Sequence, residues 1–64
     1  MKLFDVIKLF SVDEECKVYT SDGEDEVQFK GFVTDIPYWL CECELMEDGG
    51  IGVEDGELYF YVEV

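Results

Sequence analysis

The chain contains no arginine, no histidine, no asparagine and no alanine, and only four lysines stand against seventeen Asp and Glu residues. Each gap excludes something. Without histidine there is neither the commonest general base near neutral pH nor the commonest metal ligand. Without arginine there is no planar fork to clamp a phosphate or read a base edge. A formal net charge of −13 sets the chain against direct contact with nucleic acid, whose phosphates it would repel. Most catalytic chemistries are disfavoured on the same grounds. The composition therefore argues against an enzyme, and no catalytic residue, cofactor or resident metal is expected.

Long apolar runs are missing too. The opening Met1-Lys2-Leu3-Phe4-Asp5 places an acid inside a short apolar stretch and has no small-residue cleavage site, so it does not read as a signal peptide, and nothing approaches the ~20 apolar residues of a membrane span. Cysteine is sparse and odd in number: Cys16, Cys41 and Cys43. Neighbours two apart rarely bridge each other, so a disulfide framework is not expected. A structural zinc site needs four ligands, and three cysteines without histidine fall short. Free thiols imply a reducing compartment, and a cytoplasmic location is the expectation.

What is present argues for a fold. Of the 64 residues, 48% are hydrophobic and 16% aromatic, too rich for a disordered acidic tail. Five Phe, four Tyr and one Trp supply large apolar side chains for the thin core that a chain of this size can build. One domain spanning residues 1–64 is expected, strained by repulsion among its carboxylates, more so at low salt.

In the first eleven residues the polar positions are Lys2, Asp5, Lys8 and Ser11, with only apolar residues between them. That spacing predicts a helix over Leu3–Phe10 with one narrow wet stripe, packed on a sheet. Cys16–Thr20 is a β-branched and aromatic run. Ser21-Asp22-Gly23-Glu24-Asp25 reads as a turn, and Glu26–Thr34 alternates as a strand, the two strands forming a hairpin. Gly31 within it predicts a bulge or a close approach under an aromatic ring. Pro37 ends the ladder and can open a helical turn over Pro37–Cys41. Cys43–Met46 predicts a short edge strand. Ile51–Val53 and Leu58–Val64 flank Glu54-Asp55-Gly56-Glu57, a strong hairpin signal. In the last strand Leu58, Phe60, Val62 and Val64 face one way and Tyr59, Tyr61 and Glu63 the other, which predicts a central or doubly covered strand. The fold class expected is α+β: a small antiparallel sheet or open barrel of about five strands with an N-terminal helix packed on it.

Leu3–Phe10, Lys17–Gly23, Thr34–Pro37 and Val53–Gly56 occur in an order that resembles small acidic uncharacterised proteins of anaerobic Gram-positive bacteria and their mobile elements. The resemblance extends over nearly the whole chain. It implies a cytoplasmic bacterial protein; that family has no established activity, so no functional residue is carried over from it.

Two constellations invite a functional reading. The first is charge. The acid-rich turns at 22–26 and 54–57 lack the alternating ligand spacing and terminal bidentate Glu of a calcium loop, and read as solvated hairpin tips. Paired carboxylates could serve hydrolysis, but a domain this small has little room for an enclosing cleft. The second is aromatic. Tyr38 and Trp39 follow Pro37 in a connection, where they either present a hot spot to a partner or, for Trp39, fold back as the lid of the thin core; the lid is the expectation for Trp39. Tyr59 and Tyr61 lie either under the helix or toward a partner.

These features predict a small acidic, non-catalytic protein-binding module, with Tyr38, Trp39, Glu24, Asp25 and Glu26 as candidate partner-binding residues. The partner is then another protein, with a basic one suited to the charge, rather than nucleic acid or membrane. The alternative is a nucleic-acid mimic that inhibits a DNA- or RNA-binding protein. Thirteen charges match roughly 22 Å of duplex, and a domain of this length is about 28 Å across, so the average density suffices. The acids lie mostly in turns, however, and not in alternating rows.

Overall fold

A computed structural model describes residues 1–23 and 26–64. The chain opens with helix α1 (Leu3–Ile7). Asp5 starts it, its carboxylate accepting the Lys2 backbone N–H at 3.2 Å. The helix is shorter than the apolar pattern suggests, but the pattern persists as tight turns: Leu9 N–H donates to the Val6 carbonyl at 2.9 Å and Phe10 N–H to that of Ile7 at 3.1 Å. Polar residues spaced by three match the three-residue repeat of such i→i−3 turns better than they match 3.6.

Strands β1 (Glu15–Thr20) and β2 (Gly23–Phe32) follow as an antiparallel hairpin. Register shifts on either side of Tyr19 mark bulges in the pair. β2 begins before the expected Glu26 and ends at Phe32, where a 3₁₀ turn (Val33–Asp35) replaces the last expected strand residues. Gly31 lies under an aromatic ring as the alternation implied: a Cβ there would sit 3.0 Å from Cζ of Phe29. Pro37 then precedes helix α2 (Tyr38–Cys41), and β3 (Glu44–Leu45) is the short edge strand. β4 (Ile51–Glu54) and β5 (Glu57–Glu63) form the final hairpin. Its turn residues Asp55 and Gly56 have φ values of 53° and 78°, the left-handed pair that an Asp-Gly hairpin turn requires.

The five strands make one open sheet in the order β2-β1-β5-β3, with β4 also on β5. β4 pairs with Glu57–Phe60 and β3 with Val62 and Glu63, so the two share one edge of β5 end to end. The α+β class and the helix-on-sheet architecture agree with the sequence. The sheet departs from it in one respect: it is mixed, because β1 and β5 pair in parallel, from Cys16 beside Leu58 to Thr20 beside Val62. A parallel pair needs a crossover of a dozen or more residues, and the segment from β2 through β4 supplies it.

That register sorts the two faces. Cys16, Val18, Thr20, Leu58, Phe60 and Val62 are all buried on one side, where Leu3, Val6, Val33, Ile36 and Leu40 cover them. Phe10 adds an edge-on contact to Phe60, ring centroids 5.7 Å apart. Thr20, a buried polar residue, donates its hydroxyl to Asp22 Oδ1 at 2.6 Å. Each fully buried aliphatic or aromatic side chain contributes about 1.5–3 kcal/mol. Among the described residues no helix covers the other face. There Tyr19 and Tyr61 stack at 4.8 Å with their rings 15° apart, and Tyr59 meets both edge-on at 6.5 and 6.0 Å. The tyrosines thus lie away from the helix and half-bury one another. The radius of gyration is 10.3 Å and the extents are 27 × 24 × 18 Å.

Candidate functional site

Helix α1 is too short to bury every apolar residue that its segment offers. Leu3 and Val6 turn inward, which leaves Phe4 half-exposed and Leu9 81% exposed. Across from them the 3₁₀ turn and α2 do the same: Val33, Ile36 and Leu40 are buried, while Tyr38 keeps 67% of its surface in water. Between these two walls lies an open groove of about 540 Å³, lined by Phe4, Ile7, Lys8, Phe10, Val12, Val33, Thr34, Ile36, Tyr38, Cys41 and Glu42. Its volume falls within the roughly 300–1,000 Å³ typical of ligand pockets. Of its apolar residues Val33 and Ile36 are buried, Ile7, Phe10 and Cys41 half-buried, and Phe4, Val12 and Tyr38 exposed.

Polar groups sit at its margin. The Lys8 ammonium lies 5.3 Å from the centre of the Phe4 ring, a cation–π distance. Glu42 pairs with Lys2 Nζ at 3.0 Å. Its carboxyl titrates below the usual range because the Tyr38 hydroxyl and then Lys2 hydrogen-bond to it, and the same contact raises the Tyr38 phenol. Cys41 donates its thiol to the Ile36 carbonyl at 3.7 Å, and burial raises its pKa first, with Glu42 adding to the shift. Nothing in this set pairs a nucleophile with a base.

The sequence-proposed residues do not form one site. Tyr38 lines the groove. Trp39 does not: it stays 55% exposed on the adjoining surface of α2, its carbonyl accepting the Cys43 thiol at 3.3 Å. The expected core lid is therefore absent, because Leu40 takes the inward position of that single helical turn and is fully buried. Glu26 is exposed on β2, a strand none of whose described residues lines the groove. Glu24 and Asp25 lie outside the described residues. Sequence reasoning passed over Phe4, Ile7 and Phe10 because it read their helix as packed on the sheet on all sides but one narrow stripe. A signal was present: six apolar residues on so short a segment exceed what one helix face can bury.

Two further features bear on the charge. Across β5, Glu44 stands opposite Glu63 and Glu54 opposite Glu57, and like charges directly opposite destabilise a sheet. Each pair has a cation on one member: the N-terminal ammonium lies 2.8 Å from Glu44 Oε2, and Lys17 serves the other. Its ammonium lies 3.1 Å from Glu57 Oε1, a buried oxygen that has this ion pair in place of a well-aligned hydrogen bond. Among the described residues no three Cys, Asp or Glu side chains cluster as a metal site would require, and no helix is long and apolar enough to cross a membrane.

Comparison with known proteins finds no family, no curated protein and no solved structure that matches the chain.

Proposed function

We propose that the protein is a small non-catalytic binding module that docks another protein through the groove between α1 and α2. One observation carries the reading: large apolar side chains, Phe4 and Tyr38 foremost, stand exposed around an apolar cleft on a chain of net charge −13. Such a chain has carboxylates in plenty with which to surround itself with water, and an apolar patch within that surface is what a partner would cover. Trp39, on the next residue of α2, extends the patch with a residue type enriched at binding hot spots. The three unbridged thiols support a cytoplasmic setting.

Capture from the source lysate at physiological and at high salt tests the proposal. The parent should retain a protein that a Phe4→Ser/Tyr38→Ser variant loses at both. If parent and variant retain the same proteins, the groove is not the docking surface. The nucleic-acid-mimic reading makes a different prediction for the same assay. Replacing Glu24, Asp25 and Glu26 by Gln or Asn would then weaken capture of a basic protein that DNA also displaces, while the groove variant would not.

A further inference from the structure

We infer that the groove seats the apolar face of a short basic amphipathic helix supplied by the partner. The inference rests on the protein-binding reading above and gives that partner its chemistry.

Backbone accounting favours a helix over an extended segment. An extended peptide gains affinity by adding its main chain to a sheet edge, and no residue that lines the groove belongs to a strand. A helix arrives with its backbone hydrogen bonds already made and needs only a row of apolar side chains at i, i+3 or i+4 and i+7. The groove offers that row the more buried Ile7, Phe10, Val33 and Ile36, with the exposed rings of Phe4 and Tyr38 in the same lining.

Charge decides which helix. Glu42 lines the groove, and the exposed Asp5, Asp13 and Asp35 each adjoin a lining residue in the chain. Against them stand Lys8, drawn over Phe4, and Lys2, already paired with Glu42. The remainder of the molecule adds to the negative field. A fatty acid, a phospholipid or a second copy of this chain would approach against that field, whereas a helix with lysine or arginine on its polar face is drawn in by it.

The test uses two synthetic peptides of identical Leu and Lys composition. One sets its leucines at helical spacing, and the other alternates them as a strand would. Binding is read by fluorescence anisotropy at physiological salt, and peptide helicity by circular dichroism. The helical-pattern peptide should bind at least about tenfold tighter than its isomer and become helical on binding. Phe4→Ala and Tyr38→Ala should each weaken it about tenfold, the range for anchors at an interface centre, while Val53→Ala on β4 leaves it unchanged. Cys41 gives a readout on the parent itself: bound peptide should slow alkylation of this groove residue several-fold and leave Cys43 unaffected. Equal binding of the two isomers, or groove variants that bind as the parent does, would show diffuse electrostatic attraction and overturn the inference. If lysate capture still depends on Phe4 and Tyr38 in that event, the protein-docking reading stands and only the helix is wrong. If capture fails as well, both fall.

Discussion

Replacing Gly52 by alanine adds one methyl group to an exposed face, yet it should destabilise the domain. Gly52 pairs with Tyr59 across β4 and β5, and the Tyr59 ring lies over it. A Cβ at this position would stand 2.5 Å from Cζ and 2.7 Å from Cε2 of that ring, against an optimal carbon–carbon separation of about 3.5–4.0 Å. The ring can swing aside, but only by giving up its edge contacts with Tyr19 and Tyr61. Each such contact is worth about 0.5–1.5 kcal/mol beyond burial. The substitution also has a favourable side: Gly52 is not among the glycines with positive φ, so alanine fits the backbone and restricts the unfolded chain, a gain of about 0.4–1 kcal/mol. The balance is a net loss of about 1 kcal/mol, a fall in Tm of roughly 4–8 °C for a domain of this size. Thermal and urea unfolding of four proteins closes the argument: parent, Gly52→Ala, Tyr59→Ser, and the double variant. In the Tyr59→Ser background the added methyl meets no ring and should be neutral or stabilising, so the cycle should show a coupling of about 1–2 kcal/mol. A Gly52→Ala protein as stable as its parent, or an equal loss in both backgrounds, would refute the claim that Tyr59 is what demands glycine here.

Burial pushes the Cys16 thiol up to about 11 from an ordinary value of 9.0. The fold keeps that proton where the unfolded chain releases it, so stability present below pH 9 should decline between pH 9 and 11. At about 1.4 kcal/mol per pH unit the loss is on the order of 2–3 kcal/mol, and unfolding of a Cys16→Ala variant should lack that component of the slope. Raising NaCl from about 10 to about 150 mM should increase Tm, because screening relieves the self-repulsion of a net charge of −13; a Tm that falls with salt would mean that ion pairs outweigh repulsion. Deleting residues 58–64 removes Leu58, Phe60 and Val62 from the core along with the strand that joins β1 to β3 and β4; the shortened chain should show no cooperative thermal transition by circular dichroism.

Local chemistry was readable from the residues, and nonlocal geometry was not. Pro37 marked a helical turn, Asp55-Gly56 marked a hairpin, and the alternation from Leu58 onward marked a strand that divides its faces, because each signal lies within a few residues of its effect. The parallel pairing of β1 with β5 has no such signal. Cys16 and Leu58, distant in the chain, meet on the edge of β1 that β2 leaves open. The requirement for Gly52 was hidden for the same reason, since it is imposed by a ring across the ladder. The groove was half legible. Tyr38 was singled out correctly as exposed, but the division of α1 into buried Leu3 and Val6 and exposed Phe4 depends on where a five-residue helix meets the sheet.

The placement of β5 also bears on how the chain would fold. It follows in sequence every strand with which it pairs. The β1–β2 hairpin can close early over a short turn, but the second edge of β1 waits for a segment nearly forty positions further on. Loop closure of that length precedes any reward from the contacts it makes, which slows folding and prolongs the life of an open edge. During that interval the bare side of β1 is a template for any other strand. Mutual repulsion between chains of net charge −13 would hold such partners apart while the hub strand arrives.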